Sequence, residues 1–148
     1  MAVRAAYLLT DEVRIPSDFT PELSRRARGV AVWAALRSLG RAGLADLIER
    51  TCGHATRFAE GFRAAGHEVL NDVVLNQVLV SFGDADTNAR VIAAVQEDGT
   101  CWCGGTEWQG RSAMRISVCS WATTHEDVER SLAAMLAAAK RAGASPRR

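Results

Sequence analysis

One change of rhythm constrains this 148-residue chain most. From Pro21 to about Ala65 no proline intervenes, and apolar residues recur at three- and four-residue steps: Leu44, Leu47, Ile48, Cys52, Ala55, Phe58, Ala59 and Phe62. That spacing predicts helix. Val30, Trp33, Ala34 and Leu36 open an apolar stripe ahead of it, and Gly40 and Gly43 mark a break or kink between two helices. Thr20-Pro21-Glu22 reads as a helix start, with a capping Thr and Pro at the first helical position. Gly66 reads as the stop.

After Gly66 the rhythm shortens. His67 to Asp72 and Asn76 to Gly83 are Val- and Leu-rich runs too short for a typical helix, so they read as strands. Residues 84–88 read as a turn and cap, and Ala89 to Asp98 as a helix with Val91, Ile92 and Val95 on one side, closed by Gly99. Thr100 to Trp108 and Ser112 to Ser120 read as a hairpin around Gln109-Gly110-Arg111. In its second strand Met114, Ile116 and Val118 share one face and Arg115 the other. Thr123 and Glu126 fit a capping box for a last helix carrying Val128, Leu132, Met135, Leu136 and Ala139. Long helix, then β, β, α, β, β, α, makes an α+β fold: a small, mostly antiparallel sheet with helices on one face. The expected division is 1–20 as a connecting segment, 21–142 as the domain and 143–148 as a flexible tail.

Charge narrows the function. Eighteen basic and 17 acidic residues give a net charge of +1. That balance argues against a nucleic-acid binder or a polybasic membrane binder. No apolar run reaches a membrane span, and Asp11 and Glu12 follow the short apolar start with no signal-peptidase pattern, so a cytoplasmic location is expected. Lysine occurs once, at Lys140, near the end of the last helix. Any chemistry that needs a deprotonable amine has that single candidate, because arginine stays protonated.

Cys52, Cys101, Cys103 and Cys119 lack the paired knuckles of a zinc site and read as small buried hydrophobes, so no metal is expected. His54, His67 and His125 are scattered and read as solvated or capping residues. Two places stand out. The run from Cys101 to Gly110 sets glycines beside Trp102 and Trp108, which fits either a tight bulge packed on aromatics or a binding edge. Arg115 is a charge in an otherwise apolar strand, which fits either an internal ion pair or the binding of an anionic ligand.

These residues bear a resemblance. Pro21-Glu-Leu-Ser-Arg-Arg-Ala-Arg28, Val32-Trp33 and Leu36-Arg-Ser-Leu-Gly40 resemble the helix entering the small domain of group II decarboxylases. These are amino-acid decarboxylases dependent on pyridoxal phosphate (PLP), such as the aromatic-L-amino-acid and glutamate decarboxylases. Asn76 to Phe82, Met114 to Ser120 with its Arg and Cys-Ser end, Thr124 to Leu136, and Tyr7-Leu8 resemble the segments around it in order. The resemblance runs from about residue 5 to 140 and covers roughly the last third of a family member. It implies the aspartate-aminotransferase fold, a homodimer and an amino-acid substrate. It sets Arg115 at the position that pairs with the substrate α-carboxylate. Gly104, Gly105 and Thr106 fall in a loop near the active-site mouth. The Schiff-base lysine and the cofactor-holding residues fall in the family's large domain, for which this chain has no counterpart. Val32 also stands where the family has a Lys before the Trp. The resemblance therefore implies a carboxy-lyase domain with no catalytic residue of its own, inactive and without PLP when alone. The alternative is a stand-alone α+β module that binds a small carboxylate, an amino acid or a protein partner.

Overall fold

The computed structural model describes residues 26–144. The expected helix start at Thr20-Pro21, the connecting segment and the last four residues lie outside them. The chain divides into two compact units at Gly40. A helical run, α1 (Arg28–Ala64), crosses the division, but Gly40 itself is not helical, with φ 62° and ψ −172°. The break therefore falls at the first of the two expected glycines. In the first unit Val30, Val32, Trp33, Leu36 and Leu39 are all exposed.

The second unit holds the rest: β1 (Glu68–Val69), β2 (Gln77–Ser81), α2 (Ala85–Asp98), β3 (Gly104–Trp108), β4 (Arg111–Ser117) and α3 (His125–Arg141). The strands form one antiparallel sheet in the order β1-β2-β4-β3. The α+β reading and its one-sided helices hold. Val78, Val80, Met114 and Ile116 share a core with Phe58 and Phe62 of α1, Val91 and Val95 of α2, and Leu132 and Met135 of α3. Strand alternation sends Leu79 and Arg115 to the opposite face.

Several local features differ from expectation. The core-facing side of α1 runs through Thr51, His54, Ala55, Phe58, Ala59, Gly61 and Phe62, while Ile48 is exposed. Gly61 lets α3 approach closely there: a Cβ would stand 2.2 Å from Leu132 Cδ2, and that side chain would have to shift. His54 is buried rather than solvated, and its Nε2 lies 3.2 Å from the Thr123 carbonyl. A carbonyl only accepts, so Nε2 carries the proton. His67 is half-buried, its ring edge-on to Phe62 and Phe82. Helix α2 starts at Ala85, four residues early, because Asp84 Oδ1 accepts from Thr87 N at 2.7 Å and caps it. The box on α3 is Thr124 with Asp127, one residue later than expected. The carboxylate of Asp127 accepts from both the amide and the hydroxyl of Thr124.

Among the described residues no helix is long and apolar enough to cross a membrane.

Candidate carboxylate-binding face

The β3–β4 turn builds the site. Gln109 and Gly110 both have positive φ, 51° and 74°. A two-residue turn of that hand joins strands of natural twist and fixes their register. The register pairs Trp108 with Arg111, Thr106 with Ala113 and Gly104 with Arg115. Arg115 therefore lies in an inner strand, flanked by Leu79 of β2 and Gly104 of β3. It is exposed, although the residues on either side of it in the chain, Met114 and Ile116, are buried.

The expected binding residues separate by face. Gly104 and Thr106 share the face of Arg115, and Gly105 points the other way, where a Cβ would meet Ile92 Cδ1 of α2 at 3.5 Å. All three belong to strand β3 rather than to a loop. A Cβ at Gly104 would meet nothing within 4 Å, so the space beside Arg115 on that side is open.

Two arginines of β4 project on this face with different fates. Arg111 grips Glu68 of β1 with both nitrogens, at 2.8 and 2.7 Å, and those bonds raise its pKa. Arg115 has no hydrogen-bond or ion-pair partner among the described residues. The internal ion pair expected for a charge in this strand is thus formed by Arg111, four residues earlier. A permanently protonated fork with no partner suits a planar anion such as a carboxylate. The residues paired with Arg115, Leu79 and Gly104, leave its fork free to bind and orient an anion.

The cysteines divide. Cys103 is buried, and burial pushes its thiol up to about 12. Cys101 and Cys52 are half-buried, and Cys119 is exposed, against the expectation of burial for all four. Trp102 and Trp121 are exposed too, at 75% and 76%. The reading of 101–110 as a bulge packed on aromatics therefore fails for Trp102. No group of three or more His, Cys, Asp or Glu among the described residues is placed to hold a metal ion. Nor do the described residues fit PLP. The sole lysine, Lys140, is exposed in the last turn of α3.

Sequence reasoning missed two features. Asn88, expected in a turn, is fully buried and bridges three segments, and a cleft of about 250 Å³ opens where β3 leaves β4. Neither has a local sequence signal, because both arise from residues distant in the chain.

No protein-family model and no curated protein matches the chain. Solved structures do. The crystal structure of Oryza sativa TDC with PLP and tryptamine matches with a TM-score of 0.73 and 19% identity, over 84% of this chain and 29% of that one. Catharanthus roseus tryptophan decarboxylase in complex with L-tryptophan matches with 0.72 and 20%, over 80% and 26%. Serine palmitoyltransferase from Sphingomonas wittichii, an enzyme of another name, matches with 0.65 and 20%, over 76% and 29%. The chain thus spans less than a third of the length of these structures. Its fold is that of a domain of the PLP-dependent amino-acid decarboxylases.

Proposed function

We propose that this chain supplies the C-terminal small domain of a PLP-dependent amino-acid decarboxylase and that Arg115 receives the substrate's α-carboxylate. The carrying observation is the isolation of Arg115. It is exposed in an inner strand, beside the open space at Gly104, while the neighbouring Arg111 is already paired. The likeness to decarboxylase structures supports the rest. The Schiff-base lysine and the groups that hold PLP come from outside these 148 residues, and the complete enzyme works as a cytoplasmic homodimer. When bound, PLP supplies the electron sink for decarboxylation. This chain's part is to hold the carboxylate, with Gly104 and Thr106 on the same face leaving room for the substrate.

The test uses the chain as it is. ¹⁵N NMR of the arginine Nε–H groups, during titration with an amino acid and separately with its amide, reads carboxylate binding at one residue. The expected result is a saturable shift at Arg115 with the acid only, absent in Arg115→Ala. Equal shifts with the amide, or shifts that persist in Arg115→Ala, sink the assignment. The same preparation supplied with PLP and aromatic amino acids or glutamate is expected to release no CO₂.

A further inference from the structure

A second site lies beyond Arg115 and does not depend on the reading above. The β3–β4 ladder ends at Gly104 opposite Arg115, whereas β2 continues along β4 to Ser117. The next two pairings in register, Cys103 with Ile116 and Trp102 with Ser117, are outside the ladder. Instead the 101–103 segment is drawn away. Gln96 Nε2 of α2 donates to the Cys103 carbonyl at 2.8 Å, and Cys101 Sγ points to the Ser131 carbonyl of α3 at 3.9 Å. The strand edge that β3 leaves uncovered faces a cleft of about 250 Å³, with Phe58, Val128 and Met135 among its apolar walls.

The chemistry of the lining selects a ligand. Asp127 is the one ionisable acid among the lining residues, and its carboxylate is already engaged by Thr124 and Arg130. No lysine or arginine lines the cleft. Nothing there compensates a charged ligand, and bringing a bare charge out of water is costly. By contrast, Ser117, Thr123 and Ser131 line the cleft with hydroxyls that make no hydrogen bond among the described residues. An apolar cavity of about 150 Å³ holds a benzene ring. This larger, partly hydroxylated cleft has room for one or two fused rings.

We propose that the cleft binds a neutral aromatic molecule of one or two rings carrying a hydrogen-bonding group, seated between β4 and α3 beside Trp102. Two thiols serve as reporters. Cys119 is exposed and lines the cleft; Cys52 lies on α1 outside it and is the internal control. The experiment measures iodoacetamide alkylation of each cysteine by mass spectrometry, with indole and phenol as probes. At ten times Kd, indole is expected to slow Cys119 alkylation about tenfold and to leave Cys52 unchanged. Tryptamine and indole-3-acetate, which carry the same ring and a charge, are expected to protect far less. Ser131→Phe, which fills the cleft, abolishes the protection; its fold is checked by far-UV circular dichroism, and the wild-type pattern stands without it. Absence of protection up to the solubility of indole and phenol overturns the proposal. So does equal slowing at Cys52, or equal protection by the charged ring compounds.

Discussion

Asn88 sits at the junction of three segments and has no exposed surface. Its Oδ1 accepts from Phe82 N at 2.8 Å, and its Nδ2 donates to the Ser112 carbonyl at 3.0 Å. One side chain thus ties the end of β2, the first turns of α2 and the start of β4. Replacing Asn88 with Ala leaves both groups without a partner. A buried donor or acceptor left alone costs about 1–3 kcal/mol. Phe82 is buried and its N–H bears the full cost, whereas Ser112 is half-buried and water recovers part of its loss. The expected loss for Asn88→Ala is therefore about 2–4 kcal/mol, a large share of the stability of an ordinary domain. Asn88→Asp separates the hydrogen bonds from the shape. It keeps the acceptor for Phe82 N but turns a carboxylate oxygen towards the Ser112 carbonyl. Burial and that repulsion raise its folded pKa above the ordinary carboxylate value of about 3.9. The folded variant then holds a proton that the unfolded chain releases. Its penalty is small near pH 4, where the acid can donate to Ser112, and grows as pH rises to the folded pKa. The assay is urea unfolding at pH 4 and pH 7, followed by far-UV circular dichroism because the four tryptophans are exposed in the folded state and report little. A loss below about 1 kcal/mol for Asn88→Ala, or a wild-type pH profile for Asn88→Asp, would show that Asn88 does not hold Phe82 and Ser112 in this way.

Three other perturbations have defined outcomes. Thr124→Ala removes the hydroxyl of the α3 capping box and is expected to cost about 1 kcal/mol in the same unfolding assay, whereas Thr123→Ala, at the position the sequence pattern favoured, leaves the cap intact. Burial lowers the pKa of His67 below its ordinary 6.5. The unfolded chain therefore binds the extra proton first, and stability falls as pH drops from about 6.5 to the folded pKa; His67→Phe is expected to flatten that window, and an unchanged slope counts against the assignment. Cys103, with its thiol pushed up to about 12 by burial, is expected to resist alkylation at pH 8 until urea unfolds the chain, with Cys119 the first to react.

The sequence carried those parts of the fold that depend on near neighbours. Helical spacing located α1 and α3, the Val- and Leu-rich runs located β1 and β2, and Gly40, Gly66 and Gly99 marked breaks because each adopts positive φ. The face of β4 was legible for the same reason: alternation alone separates Arg115 from Met114 and Ile116. What the sequence hid depends on partners far along the chain. Thr123 and Thr124 both fit a capping pattern, and Thr124 forms the box because Asp127 reaches back to it, while the Thr123 carbonyl meets His54 and Arg50 of α1. The anionic partner expected for Arg115 belongs instead to Arg111, because Glu68 across the sheet decides which arginine is paired. The cleft was equally invisible, since Gln96 and Ser131 both engage the 101–103 segment that turns away from β4.

Arg115, exposed and without a partner among the described residues, is proposed to hold a substrate carboxylate. The most direct measurement reads the coding sequence upstream of Met1, joins or co-expresses the large-domain polypeptide found there with this chain, and follows CO₂ release from amino acids. PLP-dependent turnover by the assembled protein is expected. Loss of a hydrogen bond to a charged group costs about 1.5–3 kcal/mol, so Arg115→Ala is expected to lower kcat/KM roughly 10- to 150-fold. Since Arg115 is exposed and unpaired among the described residues, the same variant leaves stability within about 0.5 kcal/mol of wild type. An assembled enzyme whose kcat/KM is indifferent to Arg115→Ala, or an Arg115→Ala chain that is markedly less stable, contradicts that role for Arg115.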